Sequence, residues 1–221
     1  MGNQKYEIEK HSVDTILSWI KTKEVVIPEI QRPFVWKAVQ VRNLIDSLYN
    51  GYPVGYLIVS RSHDLKLKDG TISKGQRILI DGQQRVTALT AAILGRTVLN
   101  KEYQERPIRI AYNPFAKEEE NAFEVQDQSH IKSKRWIDDI SIFFDDNFDD
   151  FEFITNYCEE NPDMDIKELN KKIKRVIDIR TKDIGVVELA SDLDVDTVTD
   201  IFIRINKEGA VLSQADFVMS K

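Results

Sequence analysis

Apolar side chains recur at helical spacing in several stretches of this chain, and short β-branched runs lie between them. Residues 12–21 read as a helix with Ser12 at its N-cap and Val13, Ile16, Leu17 and Ile20 on one side. Residues 38–50 place Val41, Leu44, Ile45 and Leu48 along one face, and Gly51 stands where a C-terminal glycine belongs. Residues 83–94 turn Val86, Leu89, Thr90 and Ile93 inward, with Gly95 as the stop. Strands are expected at 24–27 (ended by Pro28), 55–60, 77–80 and 108–112. Residues 28–37 form a loop dense in proline and aromatic side chains, and the polar, glycine-containing stretch 61–75 reads as a hairpin or loop.

The texture changes near Asn113, where the chain becomes charged. Helices are expected at 136–144, 148–160 and 165–180, then a strand at 183–189. A helix at 196–206 follows, with Val198, Ile201, Phe202 and Ile205 inward, then a short one from Ser213. This order predicts an α+β fold: a small mixed sheet with flanking helices, interrupted by a helical insertion. The expected divisions are a core at 1–112, an insertion at 113–182 and a returning strand with helices at 183–221. The abrupt end in an apolar helix at Lys221 reads as a chain cut from a longer one.

Composition narrows the chemistry. The 221 residues suffice for one large domain or a domain with a subdomain. Cys158 is the only cysteine, which excludes an internal disulfide and a cysteine-based zinc site and fits a reducing cytoplasm. His11, His63 and His130 are scattered, so a zinc hydrolase has no ligand set. Asp145, Asp146, Asp149 and Asp150 lack the spacing and central glycine of a calcium loop and read as a solvated acidic turn. A net charge of −6 argues against a domain that wraps nucleic acid by bulk electrostatics. The one basic stretch, 171–182, reads first as the solvated face of an amphipathic helix. No apolar run is long enough to cross a bilayer.

Three clusters stand out as candidate chemistry. In the first, RILIDGQQR at 77–85, a strand runs through Gly82 into a helix. The first N–H groups of a helix have no acceptor within it, and its dipole favours an anion there. Gly82 permits close approach of a phosphate, the N–H groups of Gln83, Gln84 and Arg85 point to it, and Arg85 adds a fork of donors. Asp81 is a candidate cap or Mg²⁺ ligand, and Gln83 or Gln84 a candidate for orienting an attacking water. The plainer reading is an N-cap and first-turn solvent residues, and no Walker sequence is present. The second cluster is PEIQRPFVWK at 28–37: Pro33 stiffens Arg32, Gln31 and Arg32 project from the loop, and Arg32 is a candidate anion contact. Phe34 and Trp36 read as loop anchors first and stacking platforms second. The third is FIRINKEGAVL at 202–212, where Arg204 and Asn206 leave by other faces than the inward apolar residues. A helix-terminal cap is the plain reading of Asn206.

In this order, IPEIQRPFVWK, GYPVG, LIDGQQR and FIRINKEGAVLSQAD resemble the N-terminal domain of GmrSD-type restriction endonucleases, over essentially the whole chain. The resemblance implies a fold like that of ParB and sulfiredoxin. It also implies a domain that binds and hydrolyses a nucleoside triphosphate (NTP) with Mg²⁺, in prokaryotic defence against modified phage DNA. Asp81, Gly82, Gln83, Gln84 and Arg85 match its hydrolysis motif, with Asp81 the candidate metal ligand. Ile27, Gln31 and Arg32 match a second segment, and Phe202, Arg204 and Asn206 a third. Relatives continue into a nuclease of HNH type, whose signature this chain lacks. The implied partners are therefore a nucleotide, a nuclease domain or subunit outside this chain, DNA through the full assembly, and a second copy. Against the nucleotide reading stand two others: a non-catalytic DNA-recognition module, and a protein-interaction module using the acidic helical middle.

Overall fold

The computed structural model describes residues 4–27, 33–61, 76–117 and 120–206. In chain order the first elements are β1 (Tyr6–Ser12), α1 (Val13–Lys21), β2 (Val25–Val26), α2 (Ala38–Tyr49), β3 (Tyr56–Ser60), β4 (Arg77–Asp81) and α3 (Gln83–Leu94). Then come β5 (Val98–Leu99), β6 (Glu105–Arg106), β7 (Ile110–Tyr112), β8 (Phe123–Val125), α4 (Gln128–Lys132), α5 (Asp150–Glu160), α6 (Ile166–Ile177), β9 (Asp183–Leu189) and α7 (Val195–Asn206). The fold is α+β, as expected. None of the described helices is long and apolar enough to cross a membrane.

Contacts divide the chain into two compact units, one of residues 1–32, 55–83 and 183–221, the other of 33–54 and 84–182. The break at 83/84 falls inside the first turn of α3, so β4 belongs to one unit and nearly all of α3 to the other.

The first unit is built on a five-stranded mixed sheet in the order β1-β9-β3-β4-β2. β1 runs antiparallel to β9, β9 parallel to β3, β3 antiparallel to β4, and β4 parallel to β2. α1 packs against β1 and β2, with Val13, Ile16 and Leu17 buried. Ser12 caps it as predicted, its hydroxyl accepting the Thr15 N–H at 3.1 Å. Another face of the sheet, carrying Val26, Ile58, Ile78, Ile80 and Leu189, is covered by Val198 of α7, with Leu193, Ile201 and Ile203 alongside. Each such side chain contributes about 1.5–3 kcal/mol when fully buried, so this layer holds α7 in place. β1 does not appear among the strands expected from sequence: it is an edge strand with mostly exposed side chains, and its apolar pair, Tyr6 and Ile8, is not buried.

In the second unit α3 has the predicted limits, α2 ends one residue early at Tyr49, and both bury the predicted faces, except that Thr90 is only half-buried; its hydroxyl bonds the Val86 carbonyl at 2.8 Å. The expected strand at 108–112 is confined to Ile110–Tyr112 and pairs with β8, a partner too short to read from sequence. The expected helix at 136–144 is instead a 3₁₀ turn, Ile140–Phe144, because Asp139 caps it at Ser141 and Ile137 is held in an antiparallel bridge to Tyr112. The helix expected at 148–160 starts at Asp150, where Asp149 accepts the Glu152 N–H. The one expected at 165–180 ends as α6 at Ile177 and finishes as a 3₁₀ turn, Asp178–Thr181. The polar stretch 62–75 and the last expected helix from Ser213 lie outside the described residues.

Candidate functional site

β4 runs straight into α3 through a single residue, Gly82, which is buried and has φ of 99°. A side chain is strained at that angle, so the junction demands glycine. Its consequence is the one drawn from sequence: the strand end and the first turn of the helix lie within two residues of each other, with no loop between. Asp81, Gln83, Gln84 and Arg85 are all half-buried, which places them neither in the core nor in free solvent.

The direction of Asp81 depends on an irregularity. Leu79 pairs with Val59 across the β3–β4 ladder, but Asp81, not Ile80, stands opposite Ile58. The extra residue is a β-bulge, which turns two successive residues toward one face. Ile80 and Ile58 both belong to the cluster beneath α7, and residues directly opposite in an antiparallel ladder project to the same side. Asp81 therefore faces the side of the sheet that carries α7. Simple alternation would have put it on the opposite side, with Leu79.

Arg204 lies exposed in the last turn of α7, on the layer that Asp81 faces. The backbone of Asn206 ends that helix, while its side chain and that of Phe202 lie outside the described features. Gln31 and Arg32 also lie outside the described residues. Of their segment the structure shows 33–37: Phe34 is buried at 7% exposure and its N–H bonds the Leu99 carbonyl at 2.9 Å, so it anchors the loop. Trp36 is half-buried.

Gln84 makes a contact that sequence spacing gave no sign of. Its Oε1 accepts the N–H of Val35 at 2.9 Å and that of Trp36 at 3.3 Å, and its Nε2 lies 3.5 Å from the Pro33 carbonyl.

The basic stretch of α6 borders a cavity of about 840 Å³ within the second unit, lined by Tyr49, Tyr112, Phe115, Lys171, Lys172 and Arg175 among others. Its lining is balanced rather than basic, since Asp46, Glu120 and Glu168 share it. Lys172 Nζ bonds the Pro114 carbonyl and Glu168, and Arg175 stacks 4.0 Å over Tyr49 while donating to Asn50. Arg135 covers the ring of Phe115 at 4.3 Å. The rings are already paired, and burial pushes the Tyr112 hydroxyl far above its ordinary range, so that it stays neutral. No group of three or more acidic, histidine or cysteine side chains is poised to hold a metal among the described residues.

A search of curated proteins finds no match. The family model described as GmrSD restriction endonuclease, N-terminal domain, matches residues 13–221, nearly the whole length, and spans the Gly82 junction, the 33–37 loop and α7; the chain belongs to that family and is a component of a restriction system.

Proposed function

We propose that this chain binds a nucleoside triphosphate at the start of α3 and hydrolyses it, as the regulatory domain of a restriction system whose nuclease resides elsewhere. The observation that carries the reading is the Gly82 junction: a buried glycine with φ of 99° that joins strand to helix with no intervening loop. The helix does not itself use its first N–H groups, and its dipole favours a phosphate there. Arg85, one position beyond the two glutamines, supplies a permanent charge and a fork of donors for the phosphate oxygens. Asp81 would help to hold the Mg²⁺ that accompanies the phosphates, and the ion would supply charge stabilisation there.

In this reading Gln83 orients the attacking water, which adds to the terminal phosphorus as the bridging oxygen leaves with its electron pair. Arg204, on the layer Asp81 faces, is a second cation for the phosphates. Gln31, Arg32 and Asn206 are the further nucleotide contacts that the family resemblance implies. The test is calorimetry of the full chain with ATP and GTP in the presence of Mg²⁺, beside Arg85→Ala and Asp81→Ala. Heat that is lost in both variants, with unchanged circular dichroism, is expected. No heat from either nucleotide, or variants that bind like the parent, would sink the reading.

A further inference from the structure

We infer that Gln84 is a positioning residue: it ties the loop after Gln31 and Arg32 to the first turn of α3 and leaves contact with the reacting groups to its neighbour Gln83. A side-chain amide oxygen has two lone pairs, and those of Gln84 are both engaged, by Val35 N at 2.9 Å and Trp36 N at 3.3 Å. It therefore has no acceptor left for a water. The loop in turn depends on it. Residues 33–37 form no regular secondary structure, yet every N–H from Phe34 to Lys37 has an acceptor. Phe34 uses the Leu99 carbonyl, Val35 and Trp36 use Gln84, and Lys37 uses Gln40 Oε1 at 2.9 Å. One side chain thus supplies half of the anchoring for a segment that begins one residue after Arg32. Two sequence clusters 49 residues apart are joined by a single amide.

The anchoring stands on these hydrogen bonds alone; its kinetic consequence rests on the nucleotide reading above. Amide hydrogen exchange of the full chain tests the first part without nucleotide. Gln84→Ala should expose Val35 and Trp36 to exchange about tenfold faster, as expected for the loss of one ordinary hydrogen bond each. Gln84→Glu, which keeps an acceptor for both, and Gln83→Ala should leave them protected. Unchanged exchange in Gln84→Ala would overturn the inference. Steady-state hydrolysis tests the second part: Gln84→Ala should raise KM about tenfold, whereas Gln83→Ala should lower kcat. If Gln84→Ala lowers kcat as far as Gln83→Ala does and leaves KM unchanged, Gln84 acts on the reacting groups directly and the positioning role is wrong. A parent chain that neither binds nor turns over nucleotide would remove the functional reading but leave the exchange result standing.

Discussion

Asp81 stands directly opposite Ile58 on the β3–β4 ladder, although Leu79, two residues earlier, stands opposite Val59. One extra residue on β4 thus reverses the side on which the motif's only carboxylate emerges. The strand resumes its pairing for one residue, Asp81, and Gly82 then leads into the helix. Two backbone irregularities in successive residues aim the first turn of α3 and Asp81 where neither regular strand nor regular helix would have put them.

Gly82 is the more stringent of the two. Replacing it with alanine should destabilise the chain by about 1–3 kcal/mol, because a side chain at φ of 99° is strained. Urea denaturation of the parent and Gly82→Ala measures this. Calorimetry at a temperature where both remain folded should also show nucleotide binding reduced in the variant.

Tyr56 and Gly185 are opposite one another on the parallel β3–β9 pair, and the tyrosine ring lies across the glycine. A Cβ at residue 185 would fall 2.5 Å from two ring carbons. Gly185→Ala should therefore cost about 1–3 kcal/mol through overpacking. In a Tyr56→Ala background most of that cost should vanish, and a double-mutant cycle reads the coupling directly. Additive effects would mean that the ring swings clear.

Glu188 receives two arginines on its separate oxygens, Arg61 Nε at 2.7 Å and Arg77 Nε at 3.0 Å. Arg77 also pairs with Glu24 and sits 5.1 Å over the Trp19 ring, with only 16% of its side chain exposed, against 50% for Arg61. Arg77→Ala should thus cost about 1–3 kcal/mol by removing the donor to Glu24 and leaving Glu188 with Arg61 alone. Arg61→Ala, at an exposed pair screened by solvent, should cost less than about 1 kcal/mol. Thermal denaturation of both variants at low and high salt distinguishes them.

Asp194 ties down the start of α7 by accepting the Thr197 N–H at 2.7 Å. That bond, with a further one from the Thr197 side chain, holds its carboxyl below the usual range. A depressed folded value means that the stabilisation is present above the unfolded carboxyl range and is lost as pH falls through the folded value. Exchange of α7 amides should accordingly rise, beyond its ordinary pH dependence, as the solution is acidified from about pH 5 to about pH 2. Asp194→Ala should show the loosened helix already at neutral pH and no further acid loss from this source.

The helices α1, α2 and α3 are legible from sequence because their signals are local. Ser12 caps the first, Gly51 and Gly95 close the other two, and the periodic apolar residues need no knowledge of what they pack on. The strand–glycine–helix junction is legible for the same reason, and so is the family. What sequence does not show depends on partners far along the chain. β1 is a strand because β9, more than 170 residues away, offers it a ladder of seven pairs; its own side chains, Tyr6 and Ile8 included, are mostly exposed. Asp81 owes its direction to a slip in pairing with β3, and the amide oxygen of Gln84 is claimed by the backbone of Val35 and Trp36. Residue spacing reports which face of an element a side chain shares. It does not report which distant backbone will claim that side chain's lone pairs, and that is decided only when the chain packs.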